Sequence, residues 1–192
     1  MLVEEAKTAA KRADDFRAVL ADQRAFRDWY ERSLSYVYGY VFDRCGGSSV
    51  AEELTQETFV EAVRHQARFD GRSDPLTWVC GIARHKLADH FRRLERQERR
   101  QARLVARHVE EEPDRDVSEV GYAGDAVRSA LRSMPAMRRA ALVLHYLDGF
   151  SVREIADLLG RSESAVESLL SRGRESFKRV YGAPPERGTD DE

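Results

Sequence analysis

Hydrophobic positions recur along this chain at three- and four-residue steps, the spacing that lines up one face of an α-helix. Phe26, Trp29, Tyr30, Leu34, Val37, Tyr38 and Val41 predict a helix over 24–43, and the stretch RCGGSS breaks it. Ser49 with Glu52 three residues later has the capping-box pattern, so a second helix is expected to start there and run towards Arg68. Its Leu54, Phe59, Ala62 and Val63 face inward, leaving Glu52, Glu53, Gln56, Glu57 and Glu61 largely outside. The polar loop FDGRSDP follows. Leu76, Val79, Ile82, Ala83, Leu87 and Phe91 then predict a long helix over 76–98, ordered at its start and frayed at its arginine-rich end.

Residues 108–122 have no apolar stripe, contain Pro113 and Gly121 among clustered acids, and read as a linker. Helical spacing resumes over 124–181. Pro135 suits the first turn of a helix whose Ala141, Leu142, Leu144 and Leu147 supply core, and Asp148-Gly149 ends it. In SVREIADLLG, Val152, Ile155, Ala156 and Leu159 turn inward, closed by Gly160. Along the last helix, Ser162 to Arg179, Val166, Leu170, Gly173, Phe177 and Val180 share a narrow arc. Ser164, Ser168, Ser171, Arg172, Glu175, Lys178 and Arg179 lie opposite. The pattern predicts an all-α protein of two small helical domains joined by a flexible linker. The expected boundaries are an N-terminal extension (1–21), a first domain (22–100), a linker (101–123), a second domain (124–182) and a disordered tail (183–192).

Composition narrows the class. A length of 192 residues with 9% aromatics favours two modest cores over one large one, and 34% charged residues fit a soluble, helix-rich chain. No apolar run approaches the roughly 20 residues that cross a bilayer, and MLVEEAKTAAKRADDF lacks the apolar segment of a signal peptide. A cytoplasmic location without membrane insertion is expected. Cys45 and Cys80 form no CxxC pair or metal-ligand spacing, in keeping with a reducing compartment. Cys80, His85, Asp89 and His90 lie close along one helix, but their directions spread around it. That weighs against an enzyme, so no catalytic residue, metal or cofactor is expected.

The formal charge of −2 hides an uneven distribution. From Arg84 to Arg107 the basic residues are Arg84, Lys86, Arg92, Arg93, Arg96, Arg99, Arg100, Arg103 and Arg107, opposed only by Asp89, Glu95 and Glu98. The acidic EEEPDRD comes next. Nucleic-acid affinity follows the local field, so a near-neutral total does not exclude it.

Two helices joined by a tight turn at Gly160, the second long and polar on one side, form a helix-turn-helix pattern. Small hydroxyl residues let a backbone approach a groove, and Arg172 can reach guanine or phosphate. An ordinary helical hairpin with a solvated face has the same spacing. In the first domain, Phe69, Trp78 and Phe91 stand beside Arg68, Arg72, Arg84, Lys86, Arg92 and Arg93, a mixture suited to unstacked bases. Core roles are the stronger reading for Trp78 and Phe91, whereas Phe69, on a polar loop, is expected to be exposed.

Together, SSVAEELTQETFVEAV, FDGRSDPLTWVCGIARHKLADHFRR and MPAMRRAALVLHYLDGFSVREIADLLGRSESAVESLLSRGRE resemble a sigma-70 family factor of the extracytoplasmic-function type, over roughly residues 24–181. The resemblance implies a transcription initiation factor. Its region two would bind the β′ clamp helices of RNA polymerase core and melt the minus-ten element. Its region four would bind the β flap and the minus-thirty-five element. By matching position it implies polymerase contacts at Glu52, Glu53, Gln56 and Glu57. A loop from Phe69 to Asp74, with Arg68, Arg72 and Ser73, would accept a flipped minus-ten base, and Arg84, His85, Lys86, Arg92 and Arg93 would meet the same strand. Upstream contacts would come from Arg161, Ser162, Ser164, Ser168, Ser171, Arg172 and Lys178. An anti-sigma protein is implied as a further partner.

Some positions depart from the family pattern. His85 stands where Asn is frequent and Pro75 where an apolar or aromatic residue is usual, which bears on the preferred minus-ten base. Glu167 and Leu169 occupy positions often basic in relatives, so a modest reader that depends on polymerase is expected. Gly173 replaces the common Ala, at about 1 kcal/mol of helix propensity. A polymerase-independent helix-turn-helix repressor or activator is the competing reading; it needs tight duplex binding, usually by a dimer.

Overall fold

The computed structural model describes residues 2–105 and 123–181, all of them in helices and the turns between them. The predicted linker and tail lie largely outside the described residues. The helices are α1 (Leu2–Ala21), α2 (Gln23–Cys45), α3 (Ser48–Arg64), α4 (Pro75–Val105), α5 (Ala123–Arg132), α6 (Ala136–Leu142), α7 (Val152–Leu159) and α8 (Glu163–Tyr181). The chain divides into two compact units, residues 1–90 and 91–192, with the division inside α4.

In the first unit, the Asp22 carboxylate accepts from the Ala25 N–H at 2.7 Å and starts α2. Gly46, at φ 79°, stops it, returning its N–H to the Phe42 carbonyl. The Ser49–Glu52 capping box does not form: α3 begins at Ser48 with Gly47 as its cap residue, so Ser49 is already within the helix. The helix also falls short of Arg68. It ends at Arg64, His65 leaves helical geometry at φ −111°, and a tight turn over Gln66–Arg68 follows. Val37, Val41, Ala51, Leu54, Phe59, Ala62, Val79, Ala83 and Leu87 are buried, as their spacing predicts.

The segment 1–21 is a helix with a buried face of its own. Ala13, Phe16 and Leu20 pack with Phe69, and Phe26, Trp29, Val63 and Trp78 border that cluster. Rings at edge-to-face separations near 5–6 Å add about 0.5–1.5 kcal/mol per pair beyond the area they bury.

α4 starts at Pro75, whose missing N–H costs nothing in a first turn, and the Asp74 carboxylate accepts from the Leu76 N–H at 2.8 Å. Its arginine-rich end stays helical to Val105. Arg99 reaches Glu95 one turn back at 2.8 Å, and the Glu98 carboxylate accepts from the Ala136 N–H at 2.9 Å. Such ties, in a segment of good helix formers, oppose the expected fraying.

The second unit is built on Met134, Met137, Ala140, Leu144, Ile155, Leu159, Val166 and Leu170, all buried. Phe91, 1% exposed, is a core residue as its spacing suggests. The Arg139 guanidinium lies 5.3 Å from its ring centre. After Leu142 the helix widens into a π-type turn, Val143–Leu147. The altered register turns Leu147, expected in the core, outward to 52% exposure. Val180, in the last turn of α8, is likewise exposed rather than inward. Gly173 has a packing reason: a Cβ there would come within 3.0 Å of the Leu142 side chain. The missing methyl lets α8 lie close to α6.

Candidate nucleic-acid and polymerase interfaces

The helix-turn-helix is fixed by local chemistry. Ser151 and Glu154 form a complete capping box at the start of α7: the Glu154 N–H donates to Ser151 Oγ at 3.3 Å and the Ser151 N–H to the carboxylate at 2.9 Å. Gly160, at φ 62°, reverses the chain, and the Arg161 N–H donates to the Ala156 carbonyl at 2.9 Å. Ser162 Oγ then accepts from the Ala165 N–H at 3.3 Å, capping α8. With Val166, Leu170 and Gly173 buried, the register of the opposite face follows. Ser164, Ser171, Arg172 and Lys178 are exposed on it and Ser168 is half-buried. Glu163, Glu167 and Glu175 are exposed too, and temper the positive field. Arg161 is differently placed: its guanidinium bonds the Glu95 carboxylate.

In the first unit, Phe69 departs from its expected exposure. It is fully buried, 5.1 Å from Phe16 and 5.3 Å from Trp78 between ring centres. The neighbouring aromatics offer it an apolar site that its polar sequence context did not reveal. Arg68 and Arg72 remain exposed, with Arg72 Nε 3.3 Å from Asp70, and Ser73 is half-buried. On α4, His85 and Arg93 are exposed and Arg84 is half-buried. Lys86 Nζ lies 3.7 Å from Glu57 and 3.5 Å from Glu61, so one cation from the basic group faces the acidic helix α3. In the second unit, Arg92 donates to the Leu158 carbonyl at 2.9 Å.

Glu52, Glu53 and Gln56 stand exposed on α3, with Glu57 half-buried beside them. A cleft between α2 and α3 joins Tyr30, Leu34 and Tyr38 to Glu52 and Gln56. Their spacing marked the tyrosines only as members of the α2 stripe; an amphipathic ring suits the edge of a surface cleft as well as a core. The second unit carries an apolar groove of about 330 Å³ lined by Leu131, Leu142, Val143, Tyr146, Leu147 and Phe177. It went unnoticed in the sequence because the π-type turn creates its exposed edge. Among the described residues, no cluster of His, Cys, Asp and Glu has metal-binding geometry, and no helix is long and apolar enough to cross a membrane.

Two family descriptions match in chain order, Sigma-70 region 2 over residues 29–97 and Sigma-70, region 4 over residues 124–177. The chain is similar to the ECF RNA polymerase sigma factor BldN of Streptomyces coelicolor, 33% identical over 168 residues, or 85% of this chain. It spans 63% of BldN's length. Similarity to SigK of Mycobacterium tuberculosis is 27% over 161 residues, covering 82% of this chain and 86% of SigK. Among solved structures, the sigma factor RpoE of Bartonella quintana, in complex with the anti-sigma factor NepR, superposes with a TM-score of 0.50. At 21% identity, over 84% of this chain and 98% of that one, it speaks for a common fold. The helix-turn-helix, the acidic α3 and the two matched regions in order converge: the chain belongs to the sigma-70 family, in its extracytoplasmic-function type.

Proposed function

We propose that this protein directs core RNA polymerase to specific promoters and starts transcription there, acting in the cytoplasm by recognition and not as an enzyme. The observation that carries the reading is the presence of sigma-70 regions 2 and 4 in one chain, in order. In this reading residues 22–100 supply polymerase and minus-ten contacts and residues 124–182 the minus-thirty-five contacts. The exposed carboxylates of α3 meet the β′ clamp helices, and the apolar groove of the second unit suits the β flap. Arg68, Arg72, Ser73 and the exposed part of α4 handle the opened strand. Ser164, Ser171, Arg172 and Lys178 read the upstream duplex.

Opening DNA costs on the order of 1.4 kcal/mol per base-pair step. Stacking and pocket contacts of roughly 1–3 kcal/mol per captured base offset much of that. Polymerase, holding both domains at once, supplies the effective concentration that a flexible linker alone does not. An anti-sigma protein is a further proposed partner, since RpoE is solved with one. The test is reconstitution. Core polymerase plus this protein should transcribe from a cognate promoter mapped by start-site sequencing after overexpression. Failure to bind core polymerase, or tight specific duplex binding by the protein alone, would overturn the reading in favour of a free-standing repressor or activator.

A further inference from the structure

Helix α1 has no part in the function derived so far; its apolar face packs largely on α2, yet two of its arginines reach past that core to one feature, the loop Phe69–Asp74. Arg12 Nη1 donates to the Gly71 carbonyl at 2.7 Å. Arg17 Nη2 donates to the Phe69 carbonyl at 2.9 Å, and its other terminal nitrogen is steadied by Asp14 at 2.7 Å. Phe16 sets its ring edge-on to that of Phe69. The approach is close enough that a Cβ on Gly71 would collide with the Ala9 carbonyl and come within 2.9 Å of the Ala13 nitrogen. Gly71 also sits at φ 73°, a conformation that favours glycine.

The pattern of these bonds is informative. α1 holds alternate loop residues, 69 and 71, by their backbone carbonyls. The side chains that follow each of them, Asp70 at 58% and Arg72 at 85% exposure, are left to solvent and pair with each other. Carbonyl bonds fix where the backbone lies and are indifferent to the side chains displayed. Charged donors make them stronger than ordinary amide bonds. α1 also closes one side of the cleft beside the loop, where Thr8, Ala9 and Arg12 face Gly71 and Arg72, with the Glu4 and Glu5 carboxylates at its far end. A base entering next to Arg72 therefore meets α1 as the opposite wall.

We propose that α1 belongs to the minus-ten reader, with Arg12 and Arg17 as positioning residues that hold the loop in its base-accepting form. The proposal rests on the promoter-recognition reading above. Readout of a base requires its contacts to be held within about 0.5 Å, a tolerance that a six-residue loop does not meet unless its backbone is anchored. The arginines supply that anchor from 52 and 59 residues away in sequence.

The experiment uses the full chain with core polymerase on templates carrying every single-base change in the minus-ten element. It compares the wild type with the double variant Arg12→Met, Arg17→Met, and with Arg12→Lys, Arg17→Lys. Thermal melting and binding to core polymerase are measured on each. The expected result is about a tenfold fall in discrimination between the best and worst base for the Met pair, the scale of one or two charge-assisted hydrogen bonds. The lysines, which still donate to a carbonyl, should recover much of it, and preference for the upstream element should not change. A Met pair that loses activity equally on all templates, with its base ratios intact, would make α1 merely structural and overturn the proposal. So would a pair indistinguishable from wild type. Failure of the wild type to transcribe any template is a separate outcome: it removes the promoter-recognition reading itself.

Discussion

The rings of Phe16 and Phe69 meet edge-to-face, with centres 5.1 Å apart and planes inclined by 75°. This contact joins the N-terminal helix to a loop that its sequence marks as polar. It removes Phe69 from the set of residues available to stack on a base. It also makes that residue part of the first unit's core, which gives it a stability cost to measure.

Phe69→Ala should therefore destabilise the first unit by about 3–5 kcal/mol, the range for emptying a buried phenylalanine site. Chemical denaturation of the full chain reads it. A variant with unchanged stability and a selective loss of minus-ten use would return Phe69 to a base-stacking role.

Glycine-to-alanine changes at two sites should have opposite signs. Gly71→Ala places a methyl against the α1 backbone at a positive φ, and should cost about 1–3 kcal/mol or more. Gly81→Ala, within α4 and with nothing within 4 Å of the new methyl, should gain about 0.5–1 kcal/mol through helix propensity. Melting curves of the two variants, taken side by side, check the contrast.

On α3, Glu53→Lys is a cleaner probe than a change at Glu57, because Glu57 already faces Lys86 at 3.7 Å. Glu53 is exposed, so the folded state should be little affected. Affinity for a β′ clamp fragment should fall about fivefold or more at low salt, and the deficit should shrink as salt rises. Equal affinity at all ionic strengths would remove α3 from the polymerase surface.

For the upstream element, Arg172→Ala should weaken promoter use by about tenfold with no change in melting temperature, since the side chain is exposed. Relaxed preference at one base would assign Arg172 to base readout. Uniform weakening, with a salt slope smaller by about one, would assign it to phosphate.

Removing the α7 cap by Ser151→Ala should cost about 0.5–2 kcal/mol, because the hydroxyl both accepts from the Glu154 N–H and meets its carboxylate at 2.7 Å. The loss should appear in the second unit's denaturation transition. The proposed DNA contacts on α8 remain chemically intact, so any promoter defect should follow the unfolding and disappear at lower temperature.

Much of this architecture was legible in the residues. Spacing, with glycine and polar breaks, located α2, α3, α4, α7 and α8, and put Leu54, Phe59, Val79, Ile155, Val166 and Leu170 in the cores where they lie. Helix boundaries were less legible where neighbours competed. Gly47 displaced the Ser49 cap, and a full capping box formed at Ser151 and Glu154 instead. Leu147 fits a helical stripe as well as Leu144 does; the π-type turn alone separates their fates.

The candidate interfaces divide in the same way. The turn at Gly160 and the buried stripe of α8 are local, so the exposed serines and Arg172 could be placed from sequence. The partners of Arg161, Lys86 and Arg92 lie 66, 25–29 and 66 residues away, and no local rule finds Glu95, Glu57, Glu61 or the Leu158 carbonyl.

Helical periodicity, glycine turns and charge order, which depend on neighbours three or four residues apart, thus determined the all-α class, the helix-turn-helix and the acidic and basic surfaces. Tertiary structure alone decided the packing of α1, the burial of Phe69 and the grip of Arg12 and Arg17 on loop carbonyls. Those contacts join residues more than fifty positions apart, and two of them end on backbone atoms that every residue has.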